Sequence, residues 1–446
     1  VKVIVVGAGT AGLVATRELQ KRGFEVVTLE KDSAAGGRIS GAERDGYLMD
    51  LGAQFFTRYY DTTFDVCRDV GLALELVDYH LRSAAWRNGR MYPLELSRDP
   101  RATWRSRQYA PGGLRMQVQL ARLMAFMFKR RSDLAFAGFE DIADLDRECL
   151  TEFAWRKAGP EVLEYFLQPA ASSLSCAQPE DMSAANGLSL TWHIMSGVFK
   201  GFVALENGLG SLAGALARDC GGSIMTGTPA RRIVIEDGSI KGVETDDGFM
   251  DADAVLCATT ATTALSLAPG LPDTMRIPLE KVRYSACCHV MYALEKKLAP
   301  VGTYAISIPR RSGSSIVSVG LDSAKSPRYA PPGCEMAHCF TFASSAFELN
   351  DMSDDEVLTR VGREMRTIFD RFPAAPAFVE IYRWKEALCF YPPGMMTAIG
   401  RMERDNYRDV RGLYLSGEYM RMPGTVEGAF RSGIAAAGSL SKDYAS

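Results

Sequence analysis

The sequence predicts an α/β protein: a Rossmann-like dinucleotide-binding domain assembled from discontinuous segments, with a second domain of α+β character. Three stretches carry that expectation: "VKVIVVGAGTAGLVATRELQKRGFEVVTLEK" at the start, the organised region "NGLGSLAGALARDCGGSIMTGTPARRIVIEDGSIKGVETDDGFMDADAVLCATT", and "RGLYLSGEYMRMPGTVEGAFRSGIAAAGSL" near the end. At 446 residues the chain is too long for one ordinary core and suits two packed domains.

The opening reads as a complete βαβ unit: a buried strand "VKVIVVG", a helix "TAGLVATRELQKRG" with Gly23 at its end, and a strand "FEVVTLE". Gly7 permits the tight turn, Gly9 lets backbone approach a pyrophosphate, and Gly12 lets the helix pack closely on the strand. Glu30, 18 positions after Gly12, can accept hydrogen bonds from ribose hydroxyls and would repel a 2′-phosphate. NADP is therefore disfavoured, while NAD and FAD both remain. "EKDSAAGGRIS" adds Lys31, Gly36, Gly37 and Arg38, and "YLMDLGAQFF" adds a turn at Gly52, Ala53 and Gln54 whose backbone would face a ligand.

Downstream, residues 86–200 read as mainly helical, and the region from 207 gives one helix, a strand, a hairpin turning at Asp237 and Gly238, and the buried strand "AVLCATT". Strand-like runs "CCHVMYALE", "TYAISIP", "SIVSVGL" and "EMAHCFTFA" follow, then a short strand, a Gly-Glu turn and a small-residue helix from Val426. This layout predicts one domain from 1–85, 205–275 and 386–446, and a second from 86–204 and 276–385.

A formal charge of −3 with interspersed signs gives no basic face for nucleic acid. Ten cysteines without a CxxC fit a reducing cytoplasm, and a first strand beginning at residue 1 leaves no room for a leader. Cys287, Cys288 and the "CEMAHC" cluster read as buried small side chains, and no metal site is expected. No apolar run reaches the roughly 20 residues that span a bilayer. The stretch "GLRMQVQLARLMAFMFKRRSD" reads first as a core helix with a basic last turn and second as a peripheral membrane contact. Ser-His-Asp, HExxH and Walker patterns are absent, so hydrolase and kinase chemistry has no support.

Taken together, "GAGTAGL…LEK…GGR…DLGAQFF", "GTPARRI" and "SGEYMRMPGTVEGAFRSGIAAA" resemble the flavin amine oxidase superfamily, which includes protoporphyrinogen oxidases, amine oxidases and phytoene-type desaturases. The match spans roughly half of the chain. The resemblance implies a GR2-type FAD-binding domain beside a substrate-binding domain. It implies that Thr10 and Ala11 offer N–H groups to the pyrophosphate, that Glu30 binds the adenosine ribose, and that Arg38 bridges the phosphate and flavin sides. Ala230 would meet the adenine through its backbone, and Gly417 and Glu418 would meet the pyrophosphate and ribityl chain. Thr425 and Val426 would open a helix at the flavin pyrimidine ring, where the positive helix end favours the anionic charge of reduced flavin.

Departures from the family shape the expectation further. Thr425 and Ala387 stand near the positions where monoamine-type oxidases carry two flavin-flanking tyrosines. Glu386 stands where that branch carries its flavin-linking cysteine, with Cys389 three residues nearer the prolines, so non-covalent FAD is expected. The strand that presents a lysine to flavin N5 in many amine oxidases here offers His289, the expected polar group at the reaction centre. Trp384, Phe390, Tyr391 and Met395 are expected to wall an apolar substrate pocket. The expected activity is hydride removal from a largely apolar, cyclic or polyene substrate to flavin N5, with oxygen or another acceptor closing the cycle. A flavin-dependent amine oxidase and a non-catalytic flavin-binding subunit are the alternatives.

Overall fold

The strand Lys2–Val6 lies at the centre of a five-stranded sheet whose paired strands all run parallel. Its neighbours are Glu25–Leu29 and Ala254–Cys257, with Ile224–Met225 and Leu413–Leu415 at the two edges. Val3, Ile4 and Val5 are all fully buried, and this burial on both faces explains a run that is apolar without alternation. Three distant stretches of chain thus complete one sheet. The computed structural model describes residues 1–79, 82–94, 108, 111–136, 139–300, 302–406 and 409–444.

Two helices meet where the first and last motifs converge. Thr10–Lys21 follows the first strand, and Val426–Tyr444 packs against it. A Cβ on Gly433 would lie 2.4 Å from the Ala11 carbonyl oxygen and 2.5 Å from Val14 Cγ1, so only glycine lets the helices approach this closely. The expected hairpin is formed by Ala230–Glu236 and Ser239–Thr245, with Asp237 and Gly238 at φ values of 50° and 67°. A third strand, Gly248–Asp251, extends it.

The second large sheet has seven strands in the order Phe378–Phe390, Arg283–Leu294, Glu335–Thr341, Ile316–Leu321, Thr303–Ser307, Arg82–Arg87 and Arg90–Leu94. All its pairings are antiparallel except that of Thr303–Ser307 with Arg82–Arg87. Arg82–Arg87 and Phe378–Phe390 cross the expected divisions after residues 85 and 385, because each strand continues as far as its pairing does.

The helix Leu114–Lys129 corrects a simple core-helix expectation. It buries Met116, Leu123 and Met127 but leaves Leu114, Val118 and Phe128 exposed. One face serves the core, and the other mixes these apolar side chains with exposed Arg115, Arg122 and Lys129. Among the described residues, no helix is long and apolar enough to cross a membrane. All ten cysteines are free thiols, with Cys149 and Cys334 half-buried and the rest buried.

Candidate cofactor and substrate site

The site begins where the first strand ends. Gly7 takes φ +97°, which only glycine adopts without strain, and its N–H donates to the Leu29 carbonyl at 2.8 Å. A Cβ on Gly12 would sit 1.9 Å from the Gly7 carbonyl oxygen, whereas one on Gly9 would meet nothing within 4 Å. Gly12 therefore serves helix–strand packing, and Gly9 leaves open space at a helix start that no side chain caps. Thr10 and Ala11, in the uncapped first turn, line that space, and free N–H groups at a helix start suit an anion. Gly37, at φ +56°, closes the other side, with its would-be Cβ 3.3 Å from Gly9 Cα.

Glu30 is held rigid by backbone. Its Oε2 accepts from the Ala8 N–H at 2.8 Å and its Oε1 from the Asp32 N–H at 3.0 Å. Each carboxylate oxygen keeps a further lone pair for a ribose hydroxyl. Lys31 and Ala230 line the same end of the cavity.

Farther along, Arg38 donates to Glu418 Oε2 at 2.6 Å and to the Ala387 carbonyl at 3.3 Å. Burial alone would lower the Arg38 pKa, but the carboxylate of Glu418 more than offsets it and keeps the guanidinium firmly charged. The second Glu418 oxygen, Oε1, is buried and has no hydrogen-bond partner among the described residues. A ligand hydroxyl at that point would satisfy it, as the ribityl chain of FAD would. Gly52 presses onto Arg38 from another side: its Cβ would fall 2.2 Å from the Arg38 carbonyl oxygen, and the Ala53 N–H donates to that same oxygen at 2.9 Å.

Val426–Tyr444 then starts at the cavity wall. Thr425 satisfies the N–H groups of Gly428, through Oγ1 at 3.2 Å, and of Ala429, through its carbonyl at 2.9 Å. The N–H groups of Val426 and Glu427 have no intrahelical acceptor, and Val426 lines the cavity, so the positive helix end is available to an anionic ring edge. Glu427 itself points away. It accepts from Thr62 N, Thr63 N and Thr63 Oγ1 at 3.1, 2.7 and 2.8 Å, capping the helix Asp61–Asp69.

These pieces surround one continuous cavity of about 1120 Å³. Gly7, Gly9, Thr10, Ala11, Glu30, Lys31, Gly37, Arg38, Gly52, Ala53, Gln54, Ala230, Gly417, Glu418, Thr425 and Val426 all line it. Its far end is walled by Phe166, Leu174, Ile194, Phe202, Ile306 and Phe340. Thr425 and Ala387 both face the cavity, so small side chains stand where an aromatic pair would narrow it.

The predicted substrate and catalytic residues divide. Trp384 lines the cavity and donates from Nε1 to the Leu51 carbonyl at 3.2 Å. Tyr391 lies behind it, fully buried, donating to the carbonyls of Glu418 and Arg421 at 2.6 and 3.0 Å, which holds the acidic turn in place. Met395 is fully buried in the main core and Phe390 packs against that core, neither among the cavity-lining residues. Cys389 is likewise buried outside the lining, and burial pushes its thiol pKa well up, which leaves it poorly placed to bond a flavin. His289 is fully buried, pairs through Nδ1 with the Leu51 carbonyl at 3.0 Å, and stacks on Phe340 at 4.2 Å. Phe340, not His289, forms the wall. Burial first, then the nearby His338, lowers the His289 pKa to about 3, so the ring stays neutral. It anchors the turn before Gly52.

Sequence reasoning missed His338 and Phe340, which line the cavity from the strand Glu335–Thr341. The signal was the alternation in "EMAHCFTFA": positions 338 and 340 share one face of a strand.

Comparison with known proteins agrees with this arrangement. The family model described as flavin containing amine oxidoreductase matches residues 10–440. The coproporphyrinogen III oxidase of Bacillus subtilis (strain 168) is 20% identical over 456 residues, covering 93% of this chain and 93% of its own. Protoporphyrinogen oxidase 2 of Arabidopsis thaliana is 27% identical over 197 residues, which are 43% of this chain but only 36% of that protein. The fold of cyclohexylamine oxidase from Brevibacterium oxydans IH-35A superposes with a TM-score of 0.77 at 16% identity, covering 100% of both chains. The match across nearly the whole length and the cradle around Gly9, Glu30, Arg38 and Glu418 lead to one conclusion: this chain belongs to the flavin-containing amine oxidoreductase family and is an oxidoreductase whose cofactor is FAD, held without a covalent bond.

Proposed function

We propose that this protein dehydrogenates a largely apolar, cyclic or polyene small molecule, in the manner of a porphyrinogen oxidase. The observation that carries the reading is the apolar part of the cavity, lined by Phe166, Leu174, Ile194 and Phe340, with the small side chains of Thr425 and Ala387 also in its wall. The similarity to the Bacillus subtilis coproporphyrinogen III oxidase over nearly the full length supports it.

When bound, FAD supplies a two-electron oxidant whose N5 takes hydride. The chain's own residues do the rest. Glu30, Thr10 and Ala11 hold the adenosine and phosphate end, and Arg38 with Glu418 positions the middle. The helix end at Val426 favours negative charge on the ring, and the apolar wall excludes water from the reacting face. We assign the five-stranded sheet to cofactor binding and the seven-stranded sheet to substrate binding.

Anaerobic mixing with a porphyrinogen, a polyene and an amine tests the reading. Bleaching of the flavin band by a porphyrinogen or polyene is the expected result, and bleaching by the amine alone would replace it with amine oxidation. Admission of air then identifies oxygen as acceptor if the band returns. The exposed Leu114, Val118 and Phe128, beside Arg115, Arg122 and Lys129, support peripheral contact with an anionic membrane. Sedimentation with anionic but not neutral vesicles is the expected result, and its loss in Phe128→Glu would confirm the face.

A further inference from the structure

A buried chain of charge runs under the substrate wall, and cofactor binding does not account for it. The Lys325, Asp50 and Asp322 side chains are 0%, 1% and 1% exposed, and His338 is 3% exposed. Lys325 Nζ lies 3.0 Å from Asp50 Oδ2 and 3.0 Å from Asp322 Oδ1, and it donates to Gln54 Oε1 at 3.0 Å. Asp50 is pinned by the Tyr329 hydroxyl at 2.8 Å and by the Leu209 N–H at 2.7 Å. At the other end, Asp322 Oδ2 is 3.1 Å from His338 Nδ1.

The imidazole of His338 lines the cavity opposite Gly320, its partner in the strand register. A Cβ on Gly320 would lie 2.2 Å from His338 Cε1, so glycine is what lets the ring lie flat against the neighbouring strand. An ionised carboxylate only accepts hydrogen bonds, which places a proton on His338 Nδ1; in the neutral ring the remaining lone pair then lies on Nε2. Lys325 at 3.0 Å and the His338 Nδ1 at 3.1 Å favour the ionised form of Asp322 against the opposing pull of burial.

Burying three ions costs several kcal/mol each before pairing, so the arrangement calls for a use. Two carboxylates against one ammonium leave one negative charge uncompensated beside His338. The other rings facing His338 are the neutral His289, with centroids 5.3 Å apart, Phe340 at 5.3 Å and Tyr304 at 6.4 Å. None supplies a positive charge.

We propose that His338 Nε2 accepts the proton that leaves the substrate alongside the hydride, with Asp322, Lys325 and Asp50 as positioning residues behind it. The proposal rests on the dehydrogenation reading above. In the step, one substrate C–H bond breaks with its electron pair passing as hydride to the bound FAD. A neighbouring N–H or C–H bond breaks with its proton passing to Nε2, and the electron pair it leaves becomes the new double bond. The imidazolium formed balances the charge of the buried chain and later releases its proton to water.

Two measurements test this. Nitrogen NMR of the holoenzyme labelled with 15N-histidine, assigned with His338→Asn, is expected to show His338 protonated at Nδ1 and bare at Nε2 at neutral pH. A proton on Nε2 overturns the proposal. Substrate-driven flavin reduction is expected to slow about 100-fold or more in His338→Ala and His338→Gln. FAD content and light-driven reduction should be unchanged, and added imidazole should restore part of the rate in His338→Ala. A wild-type rate in either folded variant overturns it. If no porphyrinogen, polyene or amine reduces the wild-type flavin, the dehydrogenation reading fails, and the NMR tautomer still decides the placement of the His338 proton.

Discussion

Glu418 Oε1, buried and unpaired, and Gly9, with empty space where a side chain would be, are the two smallest features that call for a ligand. They differ in what a substitution would do. Gly9 has φ −74°, which any residue adopts, so Gly9→Val should fold but fill the phosphate space. We expect purified Gly9→Val to be colourless, with a circular dichroism spectrum like that of the wild type. Tyr391 acts through other groups: its hydroxyl holds the carbonyls of Glu418 and Arg421. Tyr391→Phe should lower stability by about 1–3 kcal/mol in denaturant titrations, by leaving buried acceptors short of a donor, and should weaken FAD binding less than Gly9→Val.

Elements are locked together by residues whose importance lies in what they let approach. Gly433 allows Val426–Tyr444 to touch Thr10–Lys21, and Glu427 caps Asp61–Asp69 from a distant part of the chain. Gly433→Leu should wedge apart the two helices that start at the cavity, costing about 3 kcal/mol or more with loss of FAD, measurable as a drop in Tm. Glu427→Ala removes a buried carboxylate from two backbone donors and from Arg431 Nε at 2.7 Å. It should destabilise the fold without changing the flavin spectrum of the protein that remains.

At the scale of the whole molecule, two buried histidines set a pH response. Burial lowers the His193 pKa to about 4 and that of His289 to about 3, while in the unfolded chain both titrate near 6.5. Between pH 6.5 and about 4 the unfolded state binds protons that the folded state refuses, so stability falls as pH falls through that window. Tm should decline from pH 7 to pH 5, and the double variant His193→Asn, His289→Asn should show a shallower slope. Acid precipitation should release the flavin to the supernatant, since the buried Cys389 lies outside the cavity lining.

The parallel sheet, the hairpin at Asp237 and Gly238 and the C-terminal helix were legible in the chain because each rests on local rules: apolar runs, turn residues and glycine spacing. That Gly7, Gly9, Thr10, Ala11 and Glu30 gather at one cavity was legible for the same reason, since groups at a strand–turn–helix junction are set by neighbours in sequence. His289 and His338 show where this ended. Both are strand histidines, but only the fold decides that Phe340 covers the first and that Gly320 opens a place for the second. Tyr391 and Met395 turned inward on the same ground, as packing and not composition selects which apolar residues face a cavity. Sequence by itself determined the family, the cofactor class and the supporting frame. Tertiary structure alone decided the cavity wall and brought Asp50 to the local pair of Asp322 and Lys325, because partners 275 positions apart in the chain, as Asp50 and Lys325 are, meet only when the sheets pack.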